Sequence, residues 1–568
     1  MRYIVLLVCI ASGVHAGMLE MTLSGPESAT AGIASYAEVE CGEPVLATDS
    51  LPYLPGWPVK VPYAVYSPSR GIATADFDGD GRLEIIMPTG DGKVHVWSYD
   101  GSYYPGWPYS IVSDSCQYAA SIADVDLDGD YEIAVGTRGF TTGDGPVYLF
   151  TENGGVKPGW PFRGGGGQFN QAPTLADVDG DDTLEVIIGE RAHPVGYLHC
   201  IRHDGTEQPG AWPCTLDHVP AMGAAVGDIN LDGRKEIVYG SYNSVYVFDP
   251  DGQLLPGWPQ QVSGANISYQ SPALADIDGD DTLEIVTAMH KDAAGCYVWR
   301  HDGTLQPGWP RTYSRWTYCP PTVADLYRDG DLKVIHGVSA GVSGQSDVLY
   351  AYDDNGSVLT GFPFVSQTGS NEPNLTVADL DGDDDMEILF TSNRISSADS
   401  LGYVYAIHHD GSEVEGFPLR TWGFTYLNGP NVADVDGDDS LDIIAVSAYA
   451  GQVQVSIWEA GVPFNRMSWE WPTYQFDMQR TGLYRAPTTG AEEKAEGGRM
   501  RAELRMPTIV RGMLSLRGDA RATLLDIGGR QTMQLRPGEN DVTGLAPGIY
   551  FVRSDSGGRP SVAKVILR

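Results

Sequence analysis

The chain has 568 residues, 42% of them hydrophobic, and carries 75 Asp and Glu against 36 Lys and Arg, a formal net charge of −39. That length exceeds what one ordinary core organises, so repeats or several domains are expected. The surplus of acid sets nucleic acid aside as a partner, and no stretch beyond the N-terminus reaches the ~18 continuous apolar residues of a membrane helix.

The first sixteen residues, MRYIVLLVCIASGVHA, place Arg2 before an apolar run and end in Val14-His15-Ala16. This pattern predicts a secretory signal peptide cleaved after Ala16. Val8 ahead of Cys9 argues against a lipoprotein anchor. The mature chain is therefore expected outside the cytoplasm, at the cell surface or extracellular, with no transmembrane segment. Residues 17–50 read as a lead-in segment. Loss of the signal leaves Cys41, Cys116, Cys200, Cys214, Cys296 and Cys319, an even number that permits disulfides. Cys200 and Cys214, flanking the turn His203-Asp204-Gly205, are the one specific pair expected; buried free thiols are the equal alternative. No CxxC pair or His/Cys cluster points to zinc.

From residue 51 to 484 one unit recurs. Acidic nine-residue windows begin at Asp76, Asp124, Asp177, Asp228, Asp276, Asp325, Asp379 and Asp434, and they hold nearly half of the 75 acidic residues. The charge is thus a local feature of one repeated loop, and no cationic partner follows from it. A spacing of roughly 50 residues signals a propeller or solenoid. Each unit runs from a short apolar stretch through the acidic loop into a β-rich run. An aromatic strand and an Asp-Gly or Asn-Gly turn follow, as at Asp100-Gly101, Asn153-Gly154, Asp251-Gly252, Asp302-Gly303 and Asp410-Gly411. PGWP closes the unit at 105–108, 158–161, 256–259 and 307–310, weakening to GFP at 361–363 and 416–418. Three or four short strands joined by hairpins form a blade, and blades protect their edges by packing in a ring. The expected fold is all-β: an eight-bladed β-propeller, with seven blades as the alternative, followed by a small C-terminal β-sandwich. The PGWP tryptophans are expected to wedge between blades rather than to form a ligand-binding stripe.

The acidic loop reads D-x-D-x-D-G-x-x-E. Carboxylates stand at positions 1, 3, 5 and 9, a backbone carbonyl is available at 7, and position 6 requires a conformation that suits Gly. Hard oxygen ligands in that number on a tight loop are what Ca²⁺ requires. Repeated at one period between strands, the pattern resembles the FG-GAP/VCBS-type repeats of integrin-α-like propellers, whose loops bind calcium between two strands of each blade. Over residues 51–484, the resemblance implies Ca²⁺ at about seven sites. The first would use Asp76, Asp78, Asp80 and Glu84; the second Asp124, Asp126, Asp128 and Glu132. The third would use Asp177, Asp179, Asp181 and Glu185, and the fourth Asp228, Asn230, Asp232 and Glu236. Asp276, Asp278, Asp280 and Glu284 would form the fifth site. Asp379, Asp381, Asp383 and Glu387 would form the seventh, and Asp434, Asp436, Asp438 and Asp442 the eighth. Asp replaces Gly at position 6 in four loops (Asp182, Asp281, Asp384 and Asp439), a slight strain that removes no ligand. The sixth loop, 325–333, has Tyr327 at position 3 and Lys333 at position 9. It is expected to hold no metal, with the Lys333 ammonium in its place.

Residues 485–505 read as a flexible linker. Beyond them the charge reverses, and residues 506–568 carry strands without acidic loops. The motifs DIGGR, GLAPGIYFV and AKVILR resemble the β-sandwich sorting domain of type IX secretion substrates and the Ig-like domain of flagellar hook-capping proteins. The resemblance implies engagement of secretion machinery through this domain.

These features favour a calcium-stabilised surface protein for binding or adhesion, with a glycan or protein as ligand. The alternative is a polysaccharide-degrading enzyme similar to rhamnogalacturonan lyases, which share such propellers. A lyase needs a base near the axis, and His193, His203, His218, His290, His301, His336 and His408 are the candidates. His203, His301 and His409 sit beside Asp-Gly turns, where a turn role is favoured. No nucleophile elbow, HExxH or P-loop is present, so no catalytic residue is assigned.

Overall fold

The computed structural model describes residues 51–487 apart from 63–69, 112–113, 140–143, 193, 268, 314–315, 339–346, 367–372, 393–398 and 426. Outside that span it describes Tyr3–Leu7, Met18–Thr22 and strands between Thr508 and Leu567. Most of the expected signal peptide, lead-in and linker, and Cys41, lie outside the described residues. The chain divides into two compact units, Met1–Ala486 and Pro487–Arg568.

Beside the two-stranded pairs Tyr3–Leu7 with Met18–Thr22 and Asp114–Ser115 with Arg138–Gly139, eight antiparallel sheets make up the described part of the first unit, which sets the blade number at eight. Their innermost strands begin at Ala73, Ser121, Thr174, Ala225, Ala273, Thr322, Thr376 and Asn431, numbered here as blades 1 to 8. Blade 1 shows the pattern: Ala73–Ala75, Glu84–Thr89, Lys93–Trp97 and Tyr109–Ser110 pair in sequence order. Inner strands are only three residues long and wholly buried, because both faces pack against neighbouring blades. The apolar core is accordingly split into wedges between blades. One wedge joins Ile72, Ile85 and Trp97 of blade 1 to Ile444, Val446 and Val455 of blade 8. The acidic loop joins the first two strands of a blade and therefore shares one face of the ring with the Asp-Gly turns. Second-to-third-strand turns and the connections between blades lie on the other face.

Two devices close the ring. Val59–Pro62, ahead of blade 1, supplies the outermost strand of blade 8, pairing Val59 with Val455 through Pro62 with Gln452. Around the circumference, each tryptophan donates its indole N–H to the carbonyl at the next blade's turn. Trp57 bonds Tyr99 at 2.7 Å, Trp107 bonds Glu152 at 2.7 Å and Trp160 bonds His203 at 2.9 Å. Trp212, Trp258 and Trp309 repeat the contact with Pro250, His301 and Asp354. All six are buried, so they act as inter-blade wedges.

The axis is filled by the chain itself. After blade 8, Trp469–Trp471 pairs with the inner strand of blade 7. The segment then circles the inner wall: Val432 donates to the Pro472 carbonyl, Ile122 to Met478, Leu175 to Gln479, Val226 to Thr481 and Leu274 to Gly482. Arg480 is wholly buried at its centre. Its guanidinium donates to the carbonyls of Ile72 (2.8 Å), Tyr474 (2.8 Å) and Ala120 (3.2 Å) and to the Thr473 hydroxyl (3.0 Å).

Cys200 and Cys214 are free, buried thiols, which corrects the expected disulfide. The residue opposite Cys214 across the ladder is Leu198, and the Cys214 thiol donates to the Gly252 carbonyl instead, at 3.2 Å. In the C-terminal unit, Thr508–Val510, Arg559–Leu567, Gly548–Ser556, Ala522–Asp526 and Gln531–Leu535 form a five-stranded sheet in that order. Met513–Leu516 pairs with Gly538–Asp541.

Replacing Arg480 with Met strips donors from several buried acceptors, each costing roughly 1–3 kcal/mol when orphaned. Arg480→Met is expected to lower stability by about 3 kcal/mol or more in chemical denaturation, against less than about 0.5 kcal/mol for a surface change such as Arg163→Met.

Candidate metal loops and an aromatic face

Every acidic loop is wound by its own side chains. In loops 1, 4, 5, 6 and 8 the position-1 carboxylate accepts backbone N–H groups from positions 5 and 6: Asp76 from Asp80 (3.0 Å) and Gly81 (2.9 Å), Asp434 from Asp438 (3.1 Å) and Asp439 (3.0 Å). Two residues per loop, positions 4 and 6, lie at positive φ. Glycine occupies at least one of them in every loop. Gly129 and Gly233 at position 6 accompany Leu127 and Leu231 at position 4, whereas Asp182 and Asp281 at position 6 accompany Gly180 and Gly279. The Asp at position 6 is thus balanced by glycine two residues earlier, a trade that the single-position reading missed.

Position 9 opens the second strand and is buried in all seven full loops. One of its oxygens accepts the backbone N–H of position 2: Phe77 to Glu84 at 2.8 Å, Ile277 to Glu284 at 2.9 Å, Leu380 to Glu387 at 2.7 Å and Val435 to Asp442 at 2.8 Å. Three carboxylates approach within 4.8 Å of one another in loop 1 (Asp76, Asp78, Asp80), loop 2 (Asp124, Asp126, Glu132), loop 3 (Asp177, Asp179, Glu185) and loop 5 (Asp276, Asp278, Glu284). In loop 7, Asp381 and Glu387 converge with His408. Asp124 Oδ1, Asp126 Oδ1, Asp278 Oδ1 and Asp436 Oδ1 are out of solvent and have no hydrogen-bond partner. Orphaned carboxylate oxygens aimed into a ring of others fit a hard cation.

Two loops contain an ammonium. In loop 6, Lys333 Nζ donates to the position-7 carbonyl of Asp331 at 2.9 Å and lies over the Tyr327 ring. In loop 2, Lys157, from 25 residues beyond Glu132, brings Nζ to 2.7 Å from Asp126 and 2.8 Å from Glu132. Sequence reading missed Lys157 because it lies outside the motif, just ahead of the PGWP element.

The opposite face carries a ladder of rings from three consecutive blades. His218 and Tyr242 have centroids 5.0 Å apart, Tyr242 and His290 5.9 Å, and His290 lies 5.6 Å from Trp316 and 5.4 Å from Tyr318. Tyr269 continues it, 5.5 Å from Tyr318. Trp316 is 53% exposed. Burial pushes His290 down to about 4, so its ring is neutral near pH 7. No sequence motif marks this face, because its rings come from several separate strand ends, turns and connections.

Among the described residues, the other candidate histidines have separate partners. His203 and His301 offer backbone carbonyls to the Trp160 and Trp258 indoles. His336 is buried beside Thr317 and Tyr313, and His408 lies 3.0 Å from Glu387. His193 lies outside the described residues.

Burial, reinforced by the loop aspartates, pushes the position-9 carboxyls of Glu84, Glu132, Glu236, Glu284, Glu387 and Asp442 up to about 7 and that of Glu185 to about 8. Unfolded, these groups titrate near 4, so between there and pH 7–8 the fold binds more protons than the unfolded chain. The stability of the metal-free protein should therefore fall as pH rises through that window. Thermal melts of chelator-stripped protein are expected to drop steadily from pH 5.5 to 8, and a flat profile would contradict the carboxyl clustering.

A model of the FG-GAP-like repeat matches residues 76–135 and 228–287. No curated protein sequence matches the chain. Among solved structures, the biofilm matrix protein Bap1 of V. cholerae aligns at 12% identity over 78% of this chain and 97% of its own, with a TM-score of 0.51. The Dos1 propeller aligns at 11% identity over 72% and 96%, TM-score 0.42. The C-terminal domain of Pseudomonas aeruginosa PilY1 aligns at 11% over 68% and 99%, TM-score 0.34. At 12% identity the likeness to Bap1 is one of fold. The chain is an eight-bladed β-propeller carrying FG-GAP-like repeats.

Proposed function

We propose that this is an exported, calcium-stabilised propeller that binds a glycan or protein at the cell surface, with the aromatic ladder as its docking face. The ladder is the observation that carries the binding reading. It is uncharged at its centre, partly exposed and continuous across three blades, whereas the axis, where a lyase would gather its catalytic groups, is filled by residues 469–484. Flat rings with polar edges suit the apolar faces of sugar rings or an extended peptide. The acidic loops on the far face serve stability: their side chains would hold Ca²⁺ as the loop motif implies, and loop 6 would hold none. The Bap1 fold is compatible with adhesion and by itself assigns no ligand. Residues 506–568 would act as the sorting domain, and grafting them onto another exported protein tests that role.

Extracellular calcium sites bind at ~0.1–1 mM. About 2 mM Ca²⁺ over a ~0.1 mM site adds roughly 1.8 kcal/mol per site. Removing calcium with EGTA at pH 7.5 is expected to lower the melting temperature markedly, and an unchanged melt would exclude the stabilising role. On an array of glycans and surface proteins, Trp316→Ala is expected to weaken binding about tenfold, some 1.4 kcal/mol, with an unchanged melt. Equal binding by the variant would remove the ladder from the docking site.

A further inference from the structure

We infer that the Lys157 ammonium takes the place of a metal ion in loop 2, so that the ring binds six calcium ions rather than seven. This inference rests on the calcium reading of the other loops. Nζ stands 2.7 Å from Asp126 Oδ2, 2.8 Å from Glu132 Oε1 and 3.4 Å from Asp128 Oδ2, touching positions 3, 9 and 5 of the motif at once. Calcium would need the same oxygens at ~2.3–2.6 Å, and two cations cannot share that centre. Lys157 is 8% exposed, and its backbone N–H is bonded to the Leu149 carbonyl at 2.9 Å, so the side chain starts from a fixed strand edge.

The same position in the other blades shows what is particular to blade 2. It is occupied by Tyr104, Gln208, Leu255, Gln306, Leu359 and Val414, and by Leu54 for blade 8, none of them charged. Gln208 and Gln306 reach the position-3 aspartates Asp179 and Asp278 with a neutral amide, at 2.5 and 2.6 Å. Each touches one carboxylate, whereas Lys157 touches three. An amide in that place adds no charge. The ammonium of Lys157 offsets one unit of the charge of the carboxylates it contacts and occupies their meeting point.

Crystals of the full chain grown in calcium would show anomalous density at each occupied loop, and equilibrium dialysis would count the ions bound. The wild-type protein is expected to bind six, with none at loop 2. Lys157→Met should free the pocket and raise the count to seven. Should that variant fold poorly, Asp126→Asn in the wild-type background should leave the count at six, while Asp278→Asn in loop 5 lowers it by one. Seven ions in the wild type, with density at loop 2, would overturn the inference and leave the calcium reading intact. A count unchanged by a well-folded Lys157→Met, or lowered by Asp126→Asn, would also overturn it. No bound calcium at all would overturn both readings.

Discussion

Each three-residue inner strand leaves one edge of backbone N–H and C=O groups facing the axis, and buried backbone groups of that kind must be paired. This constraint shapes the molecule. Water in an open channel would pair them, but here residues 469–484 do so strand by strand, with Arg480 supplying donors where the backbone cannot reach. A guanidinium with several fixed N–H groups can satisfy carbonyls from two blades and from its own turn simultaneously. The centre of the ring is thereby spent on structure.

The second organising force is charge. The loops gather carboxylates more closely than water screens them, and the buried acid at position 9 is held by one backbone N–H on one oxygen while its other oxygen faces its neighbours. Such a cluster needs a positive charge. Blade 2 brings the Lys157 ammonium onto its carboxylates, while blade 6 carries Lys333 at position 9, bonded to the Asp331 carbonyl, and these blades stand opposite one another in the ring of eight.

Much of the fold was legible in the sequence because it repeats. Eight acidic loops, their Asp-Gly turns and the PGWP elements share one spacing, and repetition turned weak local signals into a blade count. Tryptophans at a fixed place were read correctly as packing, and each indole indeed meets the next blade. What occurs once was not legible. The strand Val59–Pro62 that completes blade 8, the axial segment and Lys157 all act across long chain separations, and nothing in their own residues announces a partner. The expected Cys200–Cys214 pair failed on register, since hairpin proximity does not place two side chains opposite each other. The aromatic ladder was hidden for a related reason: its rings come from unrelated turns and connections, which only the closed ring brings together.

The axial segment has a bearing on how the molecule comes to exist. Its hydrogen bonds to blades 2, 3, 4 and 5 come from residues 478–482, which are made only after every blade, and the outer strand of blade 8 waits for Val453 and Val455. Without residues 452–482, blades 2 to 5 lack their inner lining and Val59–Pro62 lacks the strand it pairs with. Closing the ring and filling its centre therefore depend on the two ends of the repeat region meeting.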